Sequence, residues 1–367
     1  MFGLLSLPLE IIFWVITVAA LILTVIYWNK FADSKWHHIT ARFSVIIFIQ
    51  FFAVASLGIT INRYGDFYGS WSELFGEQQQ LAKLAITTQA LSSISERDIA
   101  KATKTAGGSM ILREVIKGAQ SQISNAVYVV ASPKIAVQLE SSARTIGSNY
   151  QVIELFPGTP GVPQTWIDVM DGVTTMEKLE NANQIQPTLL IIPAINVVAG
   201  QDTECMNFDG GAQVETWITN DMHTFAQTFL GVDTRPWSAF GYSTGGWCAA
   251  EVATLHQDQY SQAVAIAGYF EPMFSLGLTK RERKFLGAKY DLVKAIKSGA
   301  TNTRLMIITG VKDKFAAKSA STFIDQVDNI IPIKFVPIPN GGHNIEVWKP
   351  YVASGFLWLN QKKAETP

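Results

Sequence analysis

The sequence predicts an α/β fold with a mostly parallel sheet, preceded by two transmembrane helices. Three observations lead there. Gly241-Tyr242-Ser243-Thr244-Gly245 lies between a strand-like run and a helix-like run. Asp313 and His343 each follow a later strand-like run, in that order. Two long apolar stretches, Leu9 to Trp28 and Phe43 to Ile61, open the chain.

The run Trp237 to Phe240 is apolar and small enough for a buried strand, and Gly246 to Ala253 reads as a helix. A strand, a tight turn and a helix with Gly-x-Ser-x-Gly at the junction make a nucleophile elbow. Gly241 and Gly245 supply the small neighbours that a close strand–helix crossing needs. Ser243 then stands above the sheet with its hydroxyl free. An α/β-hydrolase places its acid and its histidine later in the chain, in the order Ser, Asp or Glu, His. Arg304 to Thr309 is a buried-strand pattern leading into Gly310-Val311-Lys312-Asp313. Ile331 to Ile338 is another, leading into Pro339-Asn340-Gly341-Gly342-His343, with a helical pattern from about Val347 to Leu359. Open parallel sheets carry their sites at strand carboxyl ends, so the predicted fold is an α/β-hydrolase.

Roles follow from acid–base chemistry. A serine hydroxyl is a weak nucleophile until a base takes its proton. Histidine titrates near neutrality and can take and return that proton, and a carboxylate fixes its tautomer and stabilises its cation. Ser243, Asp313 and His343 are the candidate catalytic residues. Asp325 and Asp328 are rivals to Asp313 but fall in a helix-like stretch. Of the five histidines, His37 and His38 fall between the apolar stretches, and His223 and His256 lie in helical patterns that read as structural. An oxyanion hole needs two backbone donors: the amide of Thr244, after the nucleophile, and one from Pro157-Gly158-Thr159-Pro160-Gly161, which follows the strand-like Tyr150 to Phe156. Thr159 is the candidate there. Gly158 and Trp247 are candidate substrate contacts, with core packing the competing role for Trp247. The long segment Asn196 to Gln213, with Asp202, Glu204 and Asp209, reads as a polar rim or a substrate contact.

These features together resemble the esterase D-like group of α/β-hydrolases, which includes S-formylglutathione hydrolases, feruloyl esterases and the mycolyltransferases of actinobacterial envelopes. The resemblance runs from about Val127 to Leu359. It takes in the Pro157–Gly161 loop with Trp166, the strand Thr188 to Pro193, Gln213-Val214-Glu215-Thr216-Trp217, the elbow, Asp313, and Gly341-Gly342-His343 with Trp348. Pro157 stands where the family has a histidine, and Thr244 stands where mycolyl enzymes have methionine. The resemblance implies an esterase or acyltransferase working through an acyl-enzyme, on an envelope lipid or glycolipid ester.

Each apolar stretch matches the ~20 residues that a bilayer requires. Lys30, Lys35 and Arg42 lie between them, no Lys or Arg precedes the first, and Arg63 alone follows the second closely. Basic loops stay in the cytoplasm, which predicts a hairpin with both ends outside and a multi-pass membrane protein whose catalytic domain is extracytoplasmic. Gln50 is expected to hydrogen-bond to the partner helix. The expected organisation is a hairpin over 1–62, a juxtamembrane spacer or cap over 63–123, and the catalytic domain over 124–367. Tyr64, Phe67, Tyr68 and Trp71 suggest an interfacial belt, and 78–104 has helical character.

Net charge is −1, with charged residues at 16% and hydrophobic residues at 48%, which disfavours nucleic acid as a partner. No His/Cys spacing suits a metal, and no glycine pattern suits a nucleotide, so no metal or cofactor is expected. The two cysteines, Cys205 on the long loop and Cys248 on the elbow helix, suit a disulfide in an oxidising compartment; two small buried residues are the alternative. The alternative functions are a catalytically silent hydrolase-fold scaffold and a membrane-complex interaction protein.

Overall fold

The structure, a computed structural model, describes residues 6–31, 36–65, 93–141, 146–198, 200–274 and 277–361. The chain divides into two compact units, Met1–Ala85 and Ile86–Pro367.

The first unit contains helices Leu7–Tyr27 and Trp36–Gly65. Apolar spans Leu7–Lys30 and Trp36–Asn62 are long enough to cross a membrane. Their large side chains point outward: Val25, Phe43 and Val54 are 79%, 65% and 71% exposed. The seam between the helices is polar. Trp14 Nε1 donates to Thr60 Oγ1 (3.1 Å), Thr60 Oγ1 donates to Glu10 Oε1 (2.8 Å), and the Thr17 and Ser56 hydroxyls meet at 3.2 Å. Gln50 is not part of this seam and is exposed. The contacting residues Thr60, Ser56 and Phe52, whose ring lies 5.5 Å from that of Phe13, follow a four-residue step, and a residue two before Phe52 points away from that stripe. His37 and His38 sit in the first turn of the second helix. Of the expected aromatic belt, Phe67, Tyr68 and Trp71 lie outside the described residues, as does 66–92 of the expected spacer.

The second unit is built on nine strands: β1 (Thr103–Lys104), β2 (Met110–Lys117), β3 (Ser124–Ala131), β4 (Gln151–Phe156), β5 (Thr188–Pro193), β6 (Trp237–Tyr242), β7 (Tyr260–Ile266), β8 (Arg304–Gly310) and β9 (Ile333–Ile338). Their order is β1-β2-β3-β5-β4-β6-β7-β8-β9. β5 to β9 run parallel with β4, and β1, β2 and β3 pair antiparallel. Alternation along each strand divides two cores. Val127, Val129, Val152 and Phe156 pack on one face, and Tyr128, Val130, Ile153 and Leu155 on the other. Strands buried on both faces read as unbroken apolar runs, which is why β4, β5, β6 and β8 stand out in the sequence.

The sheet begins earlier than the sequence suggests. β1 and β2 lie within the stretch read as spacer. β2 is half-buried: Met110, Leu112 and Ile116 face inward while Arg113 and Lys117 face out, so its polar half disguises it. Residues 96–101 are helical, capped reciprocally by Ser95 and Asp98, and Lys104 is in a strand.

The strand order positions the site. After β4 the chain adds β5 on one side and then β6 on the other. A reversal of this kind opens a crevice at the strand carboxyl ends. The loop after β4 and the turn after β6 therefore emerge side by side.

Candidate active site

Ser243 occupies a one-residue turn between β6 and the helix Thr244–Leu255, with φ 54° and ψ −125°. A non-glycine residue held there costs about 1–3 kcal/mol, and the surrounding backbone imposes it. Ser243 N–H donates to the Ile266 carbonyl of β7 (2.8 Å). A Cβ on Gly241 would lie 1.8 Å from the Gly245 carbonyl oxygen, and one on Gly245 would lie 2.2 Å from that of Phe156. Both positions exclude every side chain.

His343 arrives on the loop after β9. Asn344 caps the next helix through the Val347 amide (3.2 Å), and the Trp348 ring on that helix meets the imidazole edge-on at 4.6 Å. Asp313 begins the helix after β8; its Oδ1 accepts from the Ala316 amide (3.1 Å) and Oδ2 faces His343 Nδ1 (2.5 Å). The two loops are tied together by Lys312 N–H donating to the Gly341 carbonyl (2.8 Å). His343 Nε2 lies 2.9 Å from Ser243 Oγ. The carboxylate side chain is 5% exposed and the imidazole 38%. A buried acceptor at Nδ1 assigns the proton there and leaves Nε2 free to accept the serine proton. Asp325 and Asp328 lie at the far end of the Asp313-capped helix.

Gly158 packs against the nucleophile: a Cβ there would lie 3.1 Å from Ser243 Cβ. Its loop is held by a residue the sequence reading passed over. Asn196 Nδ2 donates to the carbonyls of Gly158 (3.0 Å) and Gly161 (2.6 Å), and its Oδ1 accepts from the Thr159 hydroxyl (2.6 Å). Thr244 is buried, and its hydroxyl donates to Asp202 Oδ2 (2.9 Å). Burial pushes the Asp202 carboxyl up, against hydrogen bonds from the Glu204 amide and the Thr244 hydroxyl that pull it down. The segment after β5 thus reaches both candidate oxyanion residues. No local pattern in the sequence marks Asn196 or Asp202, because the site residues they hold lie 35 or more residues away.

Trp247 does not line the site. It is fully buried, donates Nε1–H to the Glu204 carbonyl (2.8 Å) and stacks on Tyr269 at 5.6 Å. Its place one helical turn below Ser243 puts it inside the core rather than at the mouth. It braces the segment carrying Glu204 and Cys205, which adopt φ 50° and 56°. Of the acidic residues on this loop, Asp202 and Glu204 turn inward, and Asp209 is exposed.

Cys205 and Cys248 are joined by a disulfide with 5.7 Å between Cα atoms and a sequence separation of 43. Chain-entropy arguments value a loop of this length at about 4 kcal/mol. Replacing both cysteines by alanine is expected to lower the melting temperature of the second unit. It is also expected to reduce kcat, since the same loop delivers Asp202 to Thr244. Differential scanning fluorimetry with ester kinetics tests both; unchanged kcat would show that Asp202 holds its place without the crosslink.

On the far side of the elbow helix, Glu215 is met by His256 Nε2 (3.0 Å), Lys289 Nζ (2.6 Å) and Tyr290 Oη (2.7 Å). Burial pushes its carboxyl up, but these three hydrogen bonds outweigh burial and hold it at about 2, below the ordinary 4.5. A depressed carboxyl stabilises the fold above its unfolded value and loses that contribution as pH falls through the folded one, here about 3 kcal/mol. His223, which burial lowers to about 4, acts in the same direction. Buried Glu154 and Glu251 are pushed well up and act oppositely. The difference between wild type and Glu215→Gln isolates one group. That gap in melting temperature is expected to be widest at neutral pH and to close between 4.5 and about 2. A gap independent of pH would remove the ionic account.

Residues 130–352 match the family described as "Putative esterase". The chain is 25% identical over 228 residues to an uncharacterised protein of Corynebacterium glutamicum; the match covers 58% of this chain and 53% of that one. It therefore spans about half the length of that relative. Among solved structures, the fold resembles an S-formylglutathione hydrolase from Agrobacterium tumefaciens (TM-score 0.55, 15% identity, 70% of this chain, 96% of that chain). It also resembles a fluorophosphonate-binding serine hydrolase of Staphylococcus aureus (TM-score 0.56, 17% identity, 69% of this chain, 99% of that chain). At these identities the likeness concerns the fold. The matched span holds Ser243, Asp313 and His343 and more than half of the residues, and the chain belongs to the esterase family.

Proposed function

We propose that this member of the esterase family is a membrane-anchored serine esterase or acyltransferase whose catalytic domain lies outside the cytoplasm. The observation that carries the catalytic part is the pair of contacts Ser243 Oγ–His343 Nε2 (2.9 Å) and His343 Nδ1–Asp313 Oδ2 (2.5 Å). Ser243 attacks the ester carbonyl as His343 takes its proton. The amides of Thr244 and Thr159 hold the developing oxyanion. His343 then returns the proton to the leaving alcohol, and the acyl-enzyme is discharged to water or to a second alcohol such as a sugar hydroxyl. Asp313 steadies the imidazolium throughout. Gly158, against Ser243, is the proposed substrate contact. No metal or organic cofactor takes part in this sequence.

The anchor is the pair of apolar helices, with residues 1–62 as a hairpin and the basic residues of its connection on the cytoplasmic side. A disulfide in the second unit suits an oxidising compartment. A bilayer-held esterase meets lipid esters, and an envelope lipid or glycolipid is the proposed substrate class. A fluorophosphonate probe is expected to label wild type and not Ser243→Ala. Esters of graded chain length, offered with and without a sugar acceptor, separate hydrolysis from transfer. Proteolysis of intact cells reads the topology; full protection of the carboxyl-terminal unit would place it in the cytoplasm instead.

A further inference from the structure

We propose that the rim of this active site is itself a membrane-docking surface, built to seat on an anionic lipid bilayer. The proposal rests on the reading of the chain as a membrane-anchored esterase and goes beyond it: the anchor holds the chain at the membrane, and the rim turns the site onto the lipid.

Two segments carry the argument. Lys280-Arg281-Glu282-Arg283-Lys284-Phe285 begins the helix Lys280–Lys289, and Val311-Lys312-Asp313-Lys314-Phe315 runs from the end of β8 into the next helix. Each interleaves cations with an exposed aromatic ring. Phe285 and Phe315 are 60% and 53% exposed, Val311 is 55% and Met273 is 48%. Among the described residues of this unit, seven large apolar side chains are exposed, and these are four of them. The other three, Val115, Val137 and Phe335, lie apart on β2, the helix Pro133–Glu140 and β9. The apolar surface is therefore gathered at one place.

That place is the mouth of the site. Val311 and Phe315 flank Asp313 by two residues on either side. The Phe315 ring lies 6.1 Å from Tyr269, which stacks on Trp247 of the elbow helix. Met273 N–H donates to Glu204 Oε2 (2.7 Å), on the loop crosslinked to that helix. Phe274, its neighbour, abuts Gly287 of the Phe285 helix.

Charge points the same way. Lys280, Arg281, Arg283, Lys284, Lys312, Lys314 and Lys318 are all exposed, and none makes an ion pair among the described residues. Against them stand exposed Glu271 and Glu282, with exposed Asp291 just past the first helix and exposed Glu346 three residues after His343; Asp313 is turned inward to His343. A chain of net charge −1 thus presents a strongly basic patch around its nucleophile. Lysine is depleted at protein–protein interfaces. Lys and Arg surrounding Phe is the composition of surfaces that lie in the headgroup layer, where each cation gains from anionic lipid and the ring enters the acyl boundary. A bilayer surface is the occupant this chemistry fits.

The test uses the full chain in nanodiscs of phosphatidylcholine alone or mixed with phosphatidylglycerol. A polarity-sensitive fluorophore on Phe285→Cys is expected to be quenched by doxyl lipids only when phosphatidylglycerol is present. The same label on Val137→Cys is expected to stay unquenched. Lys280→Glu/Arg281→Glu/Lys284→Glu should abolish the quenching. It should also lower hydrolysis of a disc-borne ester by about tenfold or more while leaving a soluble ester unaffected. A label at 285 quenched equally in both discs, or in neither, overturns the proposal, as does an equal loss on both esters. Alkaline carbonate extraction of matching proteoliposomes reads the helical anchor separately. A chain stripped by carbonate yet quenched at 285 loses the anchor and keeps the docking rim; a chain retained yet unquenched does the reverse.

Discussion

Ser243→Ala is expected to lower kcat for a soluble ester on the order of a millionfold while leaving the fold intact. The hydroxyl is the only group removed, and its one side-chain partner among the described residues is His343 Nε2, on a ring 38% exposed. Losing it strands no buried group, so the melting temperature should stay close to wild type. The residual rate would come from substrate binding and the oxyanion donors alone. Retention of more than about a hundredth of wild-type kcat would exclude Ser243 as the nucleophile, because triad members act as a unit. Asp313→Asn is a milder probe, with an expected loss of about 10⁴-fold through the wrong imidazole tautomer. Ser243→Gly separates function from strain. It is equally inactive, but glycine accepts φ 54° freely, so it should stabilise the unit by about 1–2 kcal/mol. An inactive variant that is more stable than its parent would mark the turn as conformational energy stored for chemistry.

The parts of this protein legible in the sequence share a physical cause. β4, β5, β6 and β8 are buried on both faces, so their continuous apolar runs announce themselves, and Ser243 and Asp313 follow the ends of two of them; His343 follows β9, which is half exposed. Ser243, Asp313 and His343 could be placed because the chemistry prescribes both residue type and chain order. Asn196 and Asp202 could not. Each acts through a hydrogen bond to a residue distant in sequence, and a lone Asn or Asp in a polar loop looks solvated until the fold closes. Trp247 shows the converse limit: its position near the nucleophile is plain, but whether it faces the crevice or the core depends on which side of the elbow helix the Glu204 carbonyl occupies. β2 was hidden by its own wet face, since a strand exposed on one side carries charges that break the apolar signal. Gln50 was misplaced because one polar residue in an apolar span draws attention, whereas the seam is made by smaller hydroxyls and by Glu10 and Trp14.

Gly241→Ala is expected to destabilise the second unit by about 3 kcal/mol or more, enough to abolish soluble expression or nearly so. The added methyl would lie 1.8 Å from the Gly245 carbonyl oxygen and 2.2 Å from its carbon. Those are backbone atoms, so no flexible side chain can swing aside. Nor can the helix simply retreat as a body. Gly245 is wedged against the Phe156 and Pro157 carbonyls, Gly246 stands against Gly268, and Cys248 is crosslinked to Cys205. Any shift that frees the methyl at 241 is carried to the end of β4, and with it to the loop bearing Gly158 and Thr159. Stability and oxyanion geometry should therefore fail together. Gly277→Ala is the matched control: among the described residues nothing lies within 4 Å of its Cβ position and its φ is ordinary, so its effect should be near zero. Melting curves of the detergent-solubilised full chain compare the two. A Gly241→Ala protein that melts with wild type and keeps its kcat would mean that the strand and helix do not cross this closely, and the turn would no longer be required to hold Ser243 where it stands.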